Sequence, residues 1–367
     1  MQFVLSELSE QVVTARAAQR PVYIRGGATR QFYGEPFPDT VASGLSWLDI
    51  SSYHGIVSYE PSELVLTAYA GTRLSEIEQA LDERGQMLAF EPPRFGEAGT
   101  LGGCVASGMS GPRRMAAGPL SDFILGTKLL DANGNILRFG GEVMKNVAGY
   151  DLSRLLAGSL GTLGALVEVS VKVIPKPQFE MTQVLEMSEQ QALDKCQQWR
   201  GRPLPLSATA WQAGAEGSLG QLHVRLSGNQ SAVVQSSQTI GGESLREDIG
   251  AAFWCGLRDQ THTFFQSRPL WRVVVPPGTP ALGVGPTLVE WHGGLRWVAA
   301  PAAHAADLRQ QVQAVGGSAS LYRYTDRVPE QGVFHPLDPA LMQIHRRLKA
   351  QFDPAGLFNP NRLYSEF

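Results

Sequence analysis

The sequence predicts an α+β protein in which a mixed N-terminal unit is followed by an antiparallel-sheet unit and a terminal helix. Three observations predict it. Residues 1–177 alternate short apolar strands with amphipathic helices around two glycine-rich stretches. Pro175-Lys176-Pro177 then makes a stiff break, because each proline fixes φ and removes a backbone donor. Residues 178–335 run through two strand–helix series, the pattern of an antiparallel sheet with helices on one face, and residues 336–367 carry a last helix and tail.

Each element has a local reason. Residues 6–19 open as a helix with Leu8, Val12 and Ala15 on one side. Residues 21–24 are a short strand that runs into Arg25-Gly26-Gly27-Ala28-Thr29-Arg30. Short strands at 48–50 and 55–59 precede a firmer one at 63–69. Gly71-Thr72 offers an N-cap to a helix whose stripe is Leu74, Ile77 and Leu81, closed by Gly85. Strands at 123–130 and 136–139 flank Asp131-Ala132-Asn133-Gly134-Asn135, a hairpin signal. Residues 145–159 read as loop and helix, and 165–174 as a strand. Beyond the break, strands are predicted at 181–187, 206–212, 221–226, 270–275, 287–291, 295–299 and 318–324. Helices are predicted at 188–200, 249–257, 303–315 and 339–352.

The stretch 96–126 stands apart. It holds eight glycines and almost no long apolar run, so it reads as a functional loop from which no core can be built. Its natural use is close backbone approach to a large, flat, anionic ligand. Arg25-Gly26-Gly27-Ala28-Thr29, just after a strand, can turn successive N–H groups into a nest for phosphate, with Thr29 adding a hydroxyl. The motif is not G-x-G-x-x-G and no βαβ unit follows, which argues against a Rossmann fold. Gly99-Thr100-Leu101-Gly102-Gly103, with Ser107-Gly108-Met109-Ser110-Gly111, is a second such surface. A dinucleotide would use both.

Composition narrows the class. Of 367 residues, 43% are hydrophobic and 18% charged, enough for a sizeable core. A net charge of −3 gives no basic footprint for nucleic acid. No apolar run reaches the length of a membrane span, and the N-terminus does not read as a signal peptide. Cys104, Cys196 and Cys255 are odd in number and far apart, which fits a reducing compartment and excludes an Fe–S cluster held by this chain alone.

The order of these motifs resembles the FAD-binding domain of the vanillyl-alcohol oxidase/PCMH superfamily. GEAGTLGGCVASGMSGPRR, the long segment from Ser121 to Pro177, and the closing FDPAGLFNPNRLY are similar to the family of FAD-binding E subunits of bacterial glycolate oxidases. The resemblance implies a PCMH-type FAD-binding domain of two α/β subdomains (1–177), a cap with an antiparallel sheet and helices (178–335), and a C-terminal helix and tail returning to the FAD domain (336–367). It implies that Arg25, Gly26, Gly27, Ala28 and Thr29 wrap the FAD pyrophosphate. Gly99, Thr100, Leu101, Gly102 and Gly103 would lie along the pyrophosphate and ribityl chain. Ala106, Ser107, Gly108, Ser110 and Gly111 would pass the flavin and ribose. Asp122 would hold loop or ribose hydroxyls, and backbone at Ala165, Leu166 and Val167 would meet the adenine edge. Lys145 and Tyr150, in Lys145-Asn146-Val147-Ala148-Gly149-Tyr150-Asp151, would stand beside the flavin, where a lysine can stabilise negative charge or bind a carboxylate. Arg113 is a candidate for a substrate carboxylate, or with Arg114 for a charged face toward a partner.

The chain departs from its catalytic relatives in lacking a histidine-rich metal motif in the second unit, so no metal site is expected. His292, in Trp291-His292-Gly293-Gly294, is the remaining candidate proton acceptor. With Ala28-Thr29 in the first loop and no recognisable cysteinyl attachment site, the FAD is expected to be non-covalent. The implied function is that of the FAD-binding subunit in a complex that oxidises glycolate, a small 2-hydroxy acid, to glyoxylate. A larger FAD-containing subunit and an Fe–S subunit would accompany it, in the cytoplasm or at the inner membrane through those partners. A self-sufficient flavin oxidoreductase acting on another alcohol or acid, and an electron-relay subunit whose FAD never meets substrate, are the alternatives.

Overall fold

In a computed structural model describing residues 1–38, 46–141, 151–214, 218–324 and 328–367, the chain opens with α1 (Gln2–Ala17), which turns Leu8, Val12 and Ala15 inward. β1 (Val22–Arg25) pairs in parallel with β2 (Ser46–Asp49). β3 (Ile56–Glu60) and β4 (Val65–Tyr69) follow, then α2 (Leu74–Asp82), whose Leu74, Ile77 and Leu81 are buried. After β5 (Gln86–Met87) come α3 (Leu101–Ser107), α4 (Arg114–Ala117), β6 (Ile124–Leu130), β7 (Ile136–Gly140), α5 (Leu152–Leu155), β8 (Ala165–Lys172) and β9 (Ile174–Pro175). A five-stranded antiparallel sheet runs in the order β3-β4-β8-β6-β7, and β5 pairs with β9. One core joins α1, α2, α3, this sheet and Phe358 near the C-terminus.

The reading of 96–126 as a coreless loop is corrected here. Leu101, Cys104 and Val105 fall at helical spacing, and α3 buries all three. Thr100 caps it by accepting the Gly103 N–H, and Gly108 ends it in the left-handed region at φ 65. The glycines concealed the helix because they lower intrinsic propensity, whereas the caps and the buried stripe decide the structure.

The second unit is one antiparallel sheet, ordered β13-β10-β12-β11-β15-β16-β14-β17. Its elements are β10 (Phe179–Met187), α6 (Glu189–Trp199), β11 (Leu206–Gln212), β12 (Gly220–Gly228), α7 (Gln230–Ile240), β13 (Glu243–Ser244), α8 (Glu247–Arg258), β14 (Leu270–Val274), β15 (Thr287–Glu290), β16 (Leu295–Val298), α9 (Ala305–Ala314) and β17 (Ser318–Arg323). The helix α7 was not expected from sequence: QSAVVQSSQTI is largely polar, and of its apolar residues only Val233 and Ile240 are buried. The helices do not share one face. Residues of α6 and α7 pack with Leu222, Val224 and Leu226, and those of α9 with Trp271 and Val273. In contrast, Trp254 and Leu257 of α8 join Leu288, Leu295 and Tyr322 on the opposite face. That inner face also meets Phe32, Tyr33, Phe95, Met109 and Met115 of the first unit.

The last helix, α10 (Pro339–Phe352), is capped by Asp338, which accepts the Ala340 N–H. The tail beyond it runs beside β1: Val22 N–H donates to Leu357 O at 2.8 Å and Asn359 N–H to Val22 O at 2.9 Å.

Candidate functional site

A cleft of about 120 Å³, partly open to solvent, lies between the turn after β1, α3 and the C-terminal tail. Its floor is the segment Arg25–Thr29. The backbone N–H groups of Gly26, Gly27, Ala28 and Thr29 hydrogen-bond to no described residue. Four successive free donors with Ala28 at φ 55 form an anion-binding concavity. The close fit explains the glycine pair: a Cβ on Gly26 would stand 2.5 Å from Thr100 Oγ1, and one on Gly27 would overlap the Ala98 carbonyl. Arg25 is anchored by Asp49 at 2.9 Å. Arg30 lies behind the loop, with Nη1 donating to Thr29 Oγ1 at 3.2 Å, its plane 5.1 Å from Phe95, and Nε buried without a partner among the described residues.

The opposite wall is α3. Thr100, Gly102, Gly103, Ala106 and Ser107 line the cleft. Here the amides are already used: Leu101 N–H donates to Thr72 O, Gly102 N–H to Ala70 O and Gly103 N–H to Thr100 Oγ1. The second glycine group thus serves close packing of α3 against Ala70, while the first supplies free donors.

The third wall carries Leu166, which the resemblance set beside the adenine, with five residues that sequence reasoning missed. Leu160, Gly161, Gly164, Leu166, Asn359 and Arg362 line the same cleft. Asn359 Oδ1 accepts Ile24 N–H at 2.8 Å and its Nδ2 donates to Leu160 O at 2.6 Å. Arg362 donates to the carbonyls of Glu35, Gln31 and Tyr33 and stacks 3.8 Å from Phe37. Burial pulls its pKa down to about 10. Lys349 holds the tail by donating to Thr162 O, Asp353 and Phe358 O, all at 2.7 to 2.9 Å. The only sequence signal for Asn359 and Arg362 was the FDPAGLFNPNRLY segment as a whole.

The other predicted residues are dispersed. Gly99, Leu101, Ala165 and Val167 flank the cleft without lining it, and Leu101, Ala165 and Val167 are core. Gly108 packs on Gly158. Ser110 Oγ accepts the Leu120 N–H, and Gly111 O accepts Trp291 Nε1–H from the second unit. Asp122 is exposed beside Arg154, 3.7 Å away. Arg113 is buried between Glu91 and Glu180. Lys145 and Tyr150 lie outside the described residues. His292 donates its N–H to Thr209 Oγ1, and burial lowers its imidazole to about 4; it does not line the cleft. Among the described residues no group of three or more His, Cys, Asp or Glu side chains is arranged to hold a metal.

The free amides, the glycine cradle a Cβ would fill and the orphaned Arg30 Nε fit a dinucleotide diphosphate. Comparison with known proteins agrees. A family model described as FAD binding domain matches residues 5–140. The chain is 41% identical over 362 residues to the glycolate oxidase subunit GlcE of Escherichia coli (strain K12), covering 98% of this chain and 97% of that one. It is 35% identical over 127 residues to the glycolate oxidase subunit GlcD of Bacillus subtilis (strain 168), covering 35% of this chain and 27% of that one. A solved structure of alkyldihydroxyacetonephosphate synthase shares the fold, with a TM-score of 0.67 at 15% identity over 98% of this chain and 76% of that one. A full-length match at this identity shows the family: this chain belongs with the glycolate oxidase subunit GlcE.

Proposed function

We propose that the chain is the FAD-binding subunit of a glycolate oxidase complex, taking part in the oxidation of glycolate to glyoxylate. The observation that carries cofactor binding is the run of four N–H groups from Gly26 to Thr29 that line the cleft and bond to no described residue. They would receive the diphosphate, with Thr29 and Arg30 adding donors. Leu160, Gly164 and Leu166 offer an apolar wall for the adenine end, and Ala106, Ser107 and Tyr33 a surface for the ring system. When bound, FAD supplies the hydride acceptor that no side chain provides. The protein's part is to orient it and exclude water. Non-covalent binding is supported by Cys104, whose thiol is buried in the core and pushed up to about 12 by desolvation, so it is not a nucleophile at neutral pH.

The step from flavoprotein to glycolate rests on the full-length likeness to GlcE. The complex we propose adds a larger FAD subunit and an Fe–S subunit, consistent with the missing histidine-rich metal motif and the three scattered cysteines. We place it in the cytoplasm or peripherally at the inner membrane; among the described residues no helix is long and apolar enough to cross a membrane.

The test is to load the purified chain with FAD, acid-precipitate part of it, and mix the rest anaerobically with glycolate or D-lactate, alone and with co-expressed partner subunits. Flavin released into the acid supernatant and glycolate turnover with partners are the expected results. A chain that binds no FAD overturns the reading.

A further inference from the structure

The rest of the fold barely covers α10. Among its 14 residues are Leu341, Met342, Ile344, Leu348 and Phe352, yet the one buried residue is Lys349. One side holds the helix in place. Lys349 reaches Thr162 O, Asp353 and Phe358 O, and Phe352 packs on Phe139 with ring centroids 5.9 Å apart. On the same side, Met342 and Arg346 line a crevice with Glu35 and Tyr364.

The other side is apolar and open. Ile344 is 51% exposed and Leu341 50%. Leu348 is half-buried, and Ala340 and Gln351 are exposed. Spacings of three and four residues put all of these on one face with Arg347 at its rim and Ile344 at its centre. Apolar side chains exposed singly need no explanation, but Leu341, Ile344 and Leu348 form the stripe that a surface helix normally turns toward a core.

Charge indicates what covers this face. The helix carries Arg346, Arg347 and Lys349 and no Asp or Glu. Lys349 is paired with Asp353 and Arg346 with Glu366, whereas Arg347 has no ion pair among the described residues. Asp338, at the helix start, accepts the Ala340 N–H as its cap. A second copy seated on this face would set Arg347 against the same cationic helix. The complementary occupant is a groove with an apolar floor and carboxylates at its rim, the arrangement that receives an amphipathic helix through anchors at i, i+3 and i+7. The position also suits a subunit that exchanges electrons with a bound flavin. Ring contacts lead from His345 to Tyr364 at 6.0 Å, from Tyr364 to Phe334 at 6.0 Å and from Phe334 to Tyr33 at 5.4 Å, and Tyr33 lines the cofactor cleft.

We propose that α10 is a docking helix: Leu341, Ile344 and Leu348 enter an apolar groove of a partner protein, and Arg347 pairs with a carboxylate at the rim. The acidic, apolar character of that groove follows from the helix itself; that the partner is a redox subunit rests on the proposed function.

Titration of the labelled chain into the co-expressed partner subunits tests this, with FAD affinity and thermal midpoint measured on each chain alone. The double variant Leu341→Gln with Ile344→Gln keeps helix propensity. It should retain FAD affinity and thermal midpoint and weaken assembly at least about tenfold, the scale of lost apolar anchors. Arg347→Glu should weaken assembly more at low salt than at high salt. A double variant that assembles as wild type does overturns the docking helix and leaves the proposed function standing. The docking helix is equally overturned if the double variant abolishes self-association in light scattering, or sedimentation with phosphatidylglycerol vesicles, while assembly with the partners is unchanged. Wild type that binds FAD yet assembles with no partner subunit overturns the proposed complex, and the docking helix with it.

Discussion

Asn359 hydrogen-bonds the backbone of Ile24 at 2.8 Å, joining the first strand to the tail across 335 residues of sequence. Its other end donates to Leu160 O, so one side chain sets the spacing of two cleft walls. Its backbone is left-handed at φ 40, a conformation that asparagine tolerates better than most residues. Asn359→Ala leaves a half-buried N–H and a half-buried carbonyl without their partner, at about 1 kcal/mol each. The expected outcome is a lower thermal midpoint together with FAD affinity reduced about tenfold or more, read by fluorescence titration. Stability lost with FAD affinity unchanged would separate the tail from the cleft.

Two glycines make an internal control. A Cβ at Gly27 overlaps the Ala98 carbonyl oxygen, so Gly27→Ala must displace the loop whose amides are free. In α8 a Cβ at Gly256 meets nothing closer than 3.8 Å. Gly256→Ala should therefore be neutral or stabilise by roughly 0.5–1 kcal/mol, the helical preference for alanine. Gly27→Ala should abolish flavin retention on a desalting column while its far-ultraviolet circular dichroism stays native.

Much of this site was legible because its determinants are local. Arg25–Thr29 announces itself as a strand followed by small residues, and the stripe Leu74, Ile77, Leu81 as a helix. What was hidden depends on distance. Asn359 and Arg362 reach the cleft only because Lys349 and Asp353 fold the tail onto Thr162 and Phe358, contacts that no periodicity encodes. Arg272 and Glu290 share a face only through the β14-β16-β15 pairing. Strand alternation could have marked each as inward, but not as neighbours. In α3, by contrast, the signal was present: Thr100 as cap, Gly108 as terminator and Leu101, Cys104 and Val105 between them.

Acid sensitivity should come from buried imidazoles. His223 stacks on Phe253 at 3.8 Å, and burial lowers both it and His292 to about 4. In the unfolded chain each takes a proton near pH 6.5. Between about 6.5 and 4 the unfolded state therefore binds more protons, and stability falls as pH falls, by up to about 3 kcal/mol for each histidine. Glu290 acts with the opposite sign. Its folded value of about 7 lies above the unfolded one, so its contribution is full at low pH and is lost as pH rises through 7. In melting curves from pH 7 to 4.5, His223→Phe should flatten the acid loss, and Glu290→Gln should steepen it. Parallel wild-type and variant profiles would refute the assignment.

Arg113 is best understood through Glu91. Its Nε lies 3.2 Å from Glu91 Oε1 and its backbone N–H 2.9 Å from Oε2, while Arg225 of β12 binds the same carboxylate at 2.9 Å. Burial alone would raise the Glu91 pKa, but Arg225 and Arg113 together hold it below the ordinary carboxylate value. Arg113 also reaches Glu180 of β10 at 2.5 Å, so the cluster ties the first unit to the large sheet. Removing one member of a buried charge cluster typically costs about 3–5 kcal/mol, because the remaining charge is left unpaired. Arg113→Met should lower stability on that scale, and Glu91→Gln in the same chain should not recover it, since buried Arg225 then loses its carboxylate too. Arg113 does not line the FAD cleft. Glycolate affinity of the folded Arg113→Met protein should therefore match wild type. A tenfold loss of glycolate affinity without loss of stability would make Arg113 a substrate ligand rather than an interdomain latch.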